Sequence, residues 1–202
     1  MSETIIYKVR KGLYINITNR CPCNCAFCVR QEAAGINKGE SLWLDHEPSI
    51  EEIEQALRDV DFTRYEEVVF CGYGEPCERL DALIATARMI KERTDTPIRL
   101  NTNGLSDLIN NKKTAPLLAG LIDHVSISLN APDKEAYAAL CQPVYGEAAF
   151  DAILRFALDC KEVIPIVNFS VVEVLDAEQL RACQKLSEDL GIDLRIRKRE
   201  EL

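Results

Sequence analysis

Four cysteines fall within eight residues of the run Asn19-Arg20-Cys21-Pro22-Cys23-Asn24-Cys25-Ala26-Phe27-Cys28. Cys21, Cys25 and Cys28 give the spacing C-x-x-x-C-x-x-C. Thiolates are soft ligands that suit zinc or iron–sulfur centres. Structural zinc sites and ordinary clusters take four protein ligands. Three cysteines with no second C-x-x-C downstream point instead to a centre with one open coordination position, the mark of a catalytic metal. The alternative is a structural zinc knot with Cys23 as fourth ligand. Cys23 lies two residues from both Cys21 and Cys25, too cramped for one good tetrahedron, so it reads as a packed or spare thiol.

The elements that must position this run alternate along the chain. Residues 3–18 read as two strands, Glu3 to Tyr7 and Leu13 to Thr18, with a turn near Lys11-Gly12, and the cysteine run follows the second. A polar loop over 29–47 contains Gly35 and Gly39. Pro48-Ser49 opens a helix with a Ser49/Glu52 capping box and an apolar face of Ile50, Ile53, Leu57 and Val60. Val68-Val69-Phe70 is a short buried strand that runs into Cys71-Gly72-Tyr73-Gly74-Glu75-Pro76. A helix through Leu80, Leu83, Ala87 and Ile90 follows, limited by Pro97. Then come a strand from Ile98 to Asn101, a helix near 105–119, a strand from His124 to Leu129, a short helix from Asp133 to Cys141 and a helix from Gly146 to Cys160. Pro165 to Val174 is the next strand. The last helix is capped by Asp176 and Gln179 and ends at Gly191, and Leu194 to Lys198 closes the series.

Strands alternating with helices imply a parallel sheet, and six such units are too few for a closed eight-stranded barrel. The later strands also alternate apolar with polar. Arg99 and Asn101 interleave Ile98 and Leu100, and Ser126, Ser128 and Asn130 interleave Val125, Ile127 and Leu129. Asn168 and Ser170 interleave Phe169 and Val171, and Arg195 and Arg197 interleave Leu194 and Ile196. Neighbours on a strand face opposite sides. Helices must cover the apolar side, so the concave side is polar and lines a cavity for a polar ligand. An antiparallel sheet with one wet face is the bland alternative, disfavoured by the helical crossovers.

These residues resemble the signature of the radical S-adenosylmethionine (radical SAM) enzymes. Phe27 stands where that family has an aromatic residue before the last cysteine. Gly72-Tyr73-Gly74-Glu75-Pro76 looks like its Gly-Gly-Glu-Pro stretch, with Cys71 in place of the first glycine. Asn101-Thr102-Asn103-Gly104 and Ser126-Ile127-Ser128-Leu129-Asn130 look like its third- and fourth-strand motifs. The matches keep the family's order over residues 14–130.

The resemblance implies an α/β fold, a partial (β/α)6 barrel of parallel strands with a short N-terminal β extension, over residues 1–202 as one core domain. It implies that Cys21, Cys25 and Cys28 hold three irons of a [4Fe-4S] cluster. S-adenosyl-L-methionine would chelate the fourth iron and be cleaved reductively to methionine and a 5′-deoxyadenosyl radical. Gly72, Gly74 and Glu75 would bind the methionine amino group, glycine letting the backbone come close or adopt unusual conformations. Ser128 and Asn130 match positions that contact the methionine carboxylate or the ribose. Asn101 and Asn103 are further candidates, though Asn103-Gly104 also reads as a turn. Arg195 or Arg197, inward by parity, would meet the adenosyl group or an anionic substrate.

Composition narrows the setting. The 202 residues carry a formal net charge of −9, which disfavours general adhesion to nucleic acid or anionic membrane. Nine cysteines without a recognisable signal peptide point to a reducing cytoplasm and to metal rather than disulfides. Cys77, Cys141, Cys160 and Cys183 lack ligand spacing, and Cys160 and Cys183 read as core. His46 and His124 are lone histidines, and His124, at a strand entrance, reads as structural. The end Arg197-Lys198-Arg199 is a solvated run or a docking site for an acidic electron donor, flavodoxin or ferredoxin.

Two function classes follow. In the first the chain is an enzyme acting on an unidentified, small or macromolecular substrate, most similar to the short radical SAM proteins associated with TatD-type hydrolases. The stretches Asn130-Ala131-Pro132-Asp133 and Leu140-Cys141-Gln142-Pro143 carry that likeness. Glycyl-radical-enzyme activases and 7-carboxy-7-deazaguanine synthases are the alternatives, although no acidic magnesium site stands out. In the second class the chain is an iron–sulfur or zinc binding module without radical chemistry.

Overall fold

The hairpin expected at the start forms one edge of the sheet: β1 (Ile6–Val9) pairs antiparallel with β2 (Gly12–Ile15). Arg10 takes the left-handed conformation at the turn, φ 52°. The structure, a computed structural model, describes residues 4–31 and 41–198. Gly35, Gly39 and Arg199 lie outside the described residues. The second expected strand stops at Ile15 instead of Thr18, because the next residues leave the sheet to hold a returning segment. Asn16 Nδ2 donates to the Leu42 carbonyl at 2.7 Å, and Asn19 Nδ2 donates to that of Leu44 at 2.7 Å.

From β2 onward every pairing is parallel: β3 (Glu67–Phe70), β4 (Ile98–Thr102), β5 (His124–Ser128), β6 (Ile166–Val172) and β7 (Asp193–Arg197). Spatial order equals chain order, and β1 and β7 are not paired, so the sheet remains open. Each parallel crossover adds a strand on the same side, which wraps the sheet in one sense and gives it a hollow. This is the expected partial barrel with its N-terminal extension.

The helices are α1 (Ile50–Leu57), α2 (Leu80–Lys91), α3 (Ser106–Asn110), α4 (Ala115–Leu118), α5 (Lys134–Cys141), α6 (Ala148–Val163) and α7 (Ala177–Leu190). The Ser49/Glu52 and Asp176/Gln179 capping boxes form with both reciprocal hydrogen bonds, and Gly191 ends α7 at φ 61°. One helix expected near 105–119 is instead two. Asn111 turns left-handed at φ 51° after α3, a conformation Asn tolerates. Pro116 then sits in the first turn of α4, where its missing N–H costs nothing. The intervening Thr114 is pinned by its N–H and hydroxyl to Asp107 Oδ1 at 2.8 and 2.7 Å.

The outer sheet face buries Ile15, Val68, Phe70, Leu100, Ile127 and Phe169 against Ile53, Leu57, Leu83, Ile90, Ile153 and Phe156 of the helices. Cys160 and Cys183 join this core, as their helical positions imply. Ile196 departs from the pattern: it remains 50% exposed, since β7 is an edge strand.

Candidate functional site

The cysteine run leaves β2 at the carboxyl end of the sheet and lies against a segment far along the chain. Asn24 N–H donates to the Cys141 carbonyl at 3.0 Å and Ala26 N–H to that of Leu140 at 3.0 Å. Val144 N–H donates to the Pro22 carbonyl at 2.9 Å, and Cys23 and Pro143 form an antiparallel bridge. The run is therefore clamped to the end of α5 by backbone bonds. Phe27 is half-buried and packs on the main core, anchoring the carboxyl end of the run. Cys28 N–H closes a turn onto the Cys25 carbonyl at 3.1 Å.

None of the four thiols is in a disulfide, and all four are half-buried. Contact with the Cys23 thiol, burial and the nearby Glu75 charge push the Cys21 thiol well above its usual range. Contact with the Cys141 thiol pushes Cys25 up, and burial does the same for Cys28. The charges of Cys25 and Cys28 both respond to Cys21, so the three are electrostatic neighbours. Among the described residues no three Cys, His, Asp or Glu side chains converge on one point. A four-iron cluster places its thiolates on separate irons, so it needs thiols around a space, not at a point. A half-buried loop of neighbouring soft donors fits that requirement. Asn103 Nδ2 reaches both Cys21 and Cys23 Sγ at 3.9 Å, and Cys23 also meets the Tyr137 hydroxyl at 3.8 Å.

The Gly72–Glu75 turn follows β3 and presses on the start of the cysteine run. A side chain at Gly72 would place Cβ 2.0 Å from Asn16 Oδ1. At Gly74, Cβ would lie 2.3 Å from the Thr18 carbonyl oxygen and 2.7 Å from that of Arg20. The expectation of unusual backbone conformations at these glycines is corrected, since neither has a positive φ. They are small because the turn abuts the chain itself. Glu75 is buried, and both carboxylate oxygens are taken. Oε1 accepts from Thr102 Oγ1 at 2.7 Å and Cys77 N–H at 3.1 Å, and Oε2 accepts from Asn103 N–H at 2.7 Å. Burial raises its pKa, opposed by those three donors. Glu75 N–H in turn donates to the Arg20 carbonyl at 2.7 Å. Glu75 thus ties the turn, the end of β4 and the cysteine run into one unit.

The inner face is polar as parity requires. Ser126 and Ser170 are buried there, and Asn101, Ser128, Arg195 and Arg197 line the hollow beside them. Asn130 is left-handed at φ 57°, buried, and donates to Cys141 Sγ at 3.8 Å. The side-chain oxygens of Asn101 and Asn130 are buried without a partner. Orphaned acceptors of this kind are rare and mark a place for an outside donor.

A cavity of about 480 Å³ runs through the interior, bounded by Tyr14, Cys71, Arg99, Asn101, Arg195 and Arg197 among others. Its walls include neither the clustered cysteines nor Gly72–Glu75. Arg195 therefore belongs with the interior rather than with the cysteine loop. At the amino-terminal end, Arg99 Nη2 donates to Glu67 Oε1 at 2.8 Å and to the Tyr14 hydroxyl at 3.1 Å. His124 Nε2 meets Asn168 Oδ1 at 2.6 Å, and burial lowers the imidazole pKa.

Sequence reasoning overlooked Cys141 and Tyr137 as neighbours of the cysteine run. Their contact depends on α5 docking across more than a hundred residues, and no local spacing announces it. Glu67, paired with Arg99, was likewise unmarked.

Comparison with known proteins gives a consistent result. A relative from Methanocaldococcus jannaschii, assigned as a glycyl-radical enzyme activating enzyme, is 28% identical over 181 residues, covering 85% of this chain and 67% of its own. A GTP 3′,8-cyclase of Mycobacterium marinum is 30% identical over 133 residues, covering 63% of this chain and 33% of the cyclase. The chain thus spans about two thirds of the first relative and a third of the second. Among solved structures, Streptococcus suis SuiB bound to precursor peptide SuiA superposes with a TM-score of 0.68 at 21% identity, covering 96% of this chain and 40% of SuiB. SuiB bound to S-adenosylmethionine gives 0.66 at 20% identity, with coverage of 95% and 40%. Among the described residues no helix is long and apolar enough to cross a membrane. The Radical SAM superfamily profile matches residues 15–179, most of the chain, and the protein belongs to that superfamily.

Proposed function

We propose that this chain is a radical SAM enzyme, with residues 1–202 as one catalytic core in a reducing cytoplasm. The observation that carries the reading is the cysteine run, clamped beside the Gly72–Glu75 turn at the carboxyl rim of a hollow, polar-lined sheet. Ligands of such sheets gather at that rim. The family's cofactors are a [4Fe-4S] cluster and S-adenosyl-L-methionine. Together they supply reductive cleavage to methionine and a 5′-deoxyadenosyl radical able to take hydrogen from a substrate.

Cys21, Cys25 and Cys28 are assigned as ligands. Burial and neighbouring thiols raise their pKa values, and a bound cationic centre would favour the thiolates. Cys23, which meets the Tyr137 hydroxyl and breaks the C-x-x-x-C-x-x-C spacing, is left out. The turn from Gly72 to Glu75 offers its backbone toward the methionine amino group, while the Glu75 side chain fixes the turn. Asn130, with its unpartnered oxygen, and Ser128 are placed to meet the methionine carboxylate or ribose. The open side between β1 and β7 admits substrate. Reduction calls for a low-potential donor, flavodoxin or ferredoxin, docking near the cysteine loop. The link to a TatD-type hydrolase rests on the sequence likeness around Asn130 and Leu140. An activase reading, with a protein loop as substrate, is favoured by the methanogen relative.

Anaerobic, reconstituted protein given S-adenosylmethionine and dithionite should form 5′-deoxyadenosine slowly. A full cluster that binds S-adenosylmethionine yet yields no 5′-deoxyadenosine under strong reduction would leave only the binding-module reading.

A further inference from the structure

Among the described residues, two of the arginines around the interior cavity have no acidic partner. Lys11, Arg99, Arg195 and Arg197 line it together with Glu66 and Glu67. Lys11 pairs with Glu66 and Arg99 with Glu67. Arg195 and Arg197 have no acidic partner among the described residues, although the chain holds 33 acidic residues against 24 basic ones. They sit two apart on β7 and face the same side, so their charges repel. Arg197 Nε is buried without an acceptor, as is Arg99 Nε across the cavity. Arg99 itself is 92% buried, with its unpartnered Nε in the wall of the same space. Asn101 adds a buried oxygen without a donor. Buried guanidinium left uncompensated is costly, and it persists where an anion completes it. Guanidinium matches carboxylate and phosphate with paired hydrogen bonds.

We propose that this cavity seats a small oxyanion-bearing molecule, its carboxylate or phosphate held between Arg195 and Arg197 and a donor group of its body meeting Asn101. The volume of about 480 Å³ suits a metabolite-sized ligand, not a folded protein segment. Cys71 and Tyr14 line the walls beside its body. That the ligand is the substrate rests on the radical-enzyme reading with a small substrate in place of the activase's protein loop; the binding site rests on neither.

The test is calorimetric titration of the anaerobic, cluster-loaded protein with inorganic phosphate and, separately, succinate, with S-adenosylmethionine and reductant withheld. The two probes distinguish phosphate from carboxylate. At least one should bind saturably at millimolar concentration. Arg195→Gln and Arg197→Gln should each weaken that binding at least tenfold. Arg155→Gln, at an exposed position on α6, should leave it unchanged. If Arg197→Gln does not fold, exposed Arg195 carries the test alone. No saturable binding of either probe, or binding equal in wild type and the Arg195 and Arg197 variants, overturns the proposal. Because no cleavage is needed, anion binding without 5′-deoxyadenosine formation removes the enzyme reading alone. Cleavage without anion binding removes this inference alone.

Discussion

The rim of the sheet and its interior are built by opposite means. At the rim, one continuous run of thiols is gripped by backbone hydrogen bonds and by glycines that allow close contact. In the interior, strands send in one or two polar side chains each, held by an ion pair, Arg99 with Glu67, and a hydrogen bond, His124 with Asn168. A site made from one loop fails when its shape is disturbed. A site made from many strands fails piecemeal, one interaction at a time.

The largest expected effect breaks the rim at a proposed ligand. Cys25→Ala should abolish the reconstituted cluster, read by its visible absorbance, while Cys23→Ala keeps most of it. Loss of the cluster from well-folded Cys23→Ala would overturn the assignment. Next comes shape. Gly74→Ala drives a methyl into the Thr18 and Arg20 carbonyls and should cost about 3 kcal/mol in denaturant unfolding, with reduced iron loading. An unchanged midpoint would show that the rim gives way easily.

The interior should respond more gently. Arg99→Met removes the partner of Glu67, whose side chain is 33% exposed, so water softens the loss. We expect about 2 kcal/mol, with the cluster still incorporated. The smallest effect is that of pH at His124. Its folded pKa lies below the ordinary imidazole value of about 6.5, since burial disfavours the charged ring. The neutral ring's stabilising share is therefore full above pH 6.5 and is lost as pH falls through the lowered folded value. Wild type should lose more stability than His124→Gln on acidification from pH 7; parallel profiles would show that His124 is solvated like a surface residue.

The same division explains what was legible in the sequence. Cysteine spacing and the Gly-Glu-Pro stretch announce the rim because its parts are adjacent in the chain. Parity of β4 to β7 announced the polar interior because alternation is a local property of a strand. Partner choice was hidden. Nothing near Glu75 indicates that its carboxylate faces Thr102 and Asn103, or near Cys141 that it meets Cys25, because those contacts are created by the crossovers. The split between α3 and α4 is written in Asn111 and Pro116, which the single expected helix passes over.

The bond between the cysteine run and the end of α5 has a consequence for how the protein comes to be made. Asn24 is held by Cys141, and Pro22 by Val144. A ribosome emits the thiols more than a hundred residues before the segment that clamps them, so the nascent chain carries four exposed nucleophiles with no bed to lie in. Iron delivered at that stage would meet a floppy peptide and no defined geometry. On the proposed ligand assignment, cluster insertion belongs after synthesis has passed Val144 and α5 has docked, and those thiols must stay reduced in the interval.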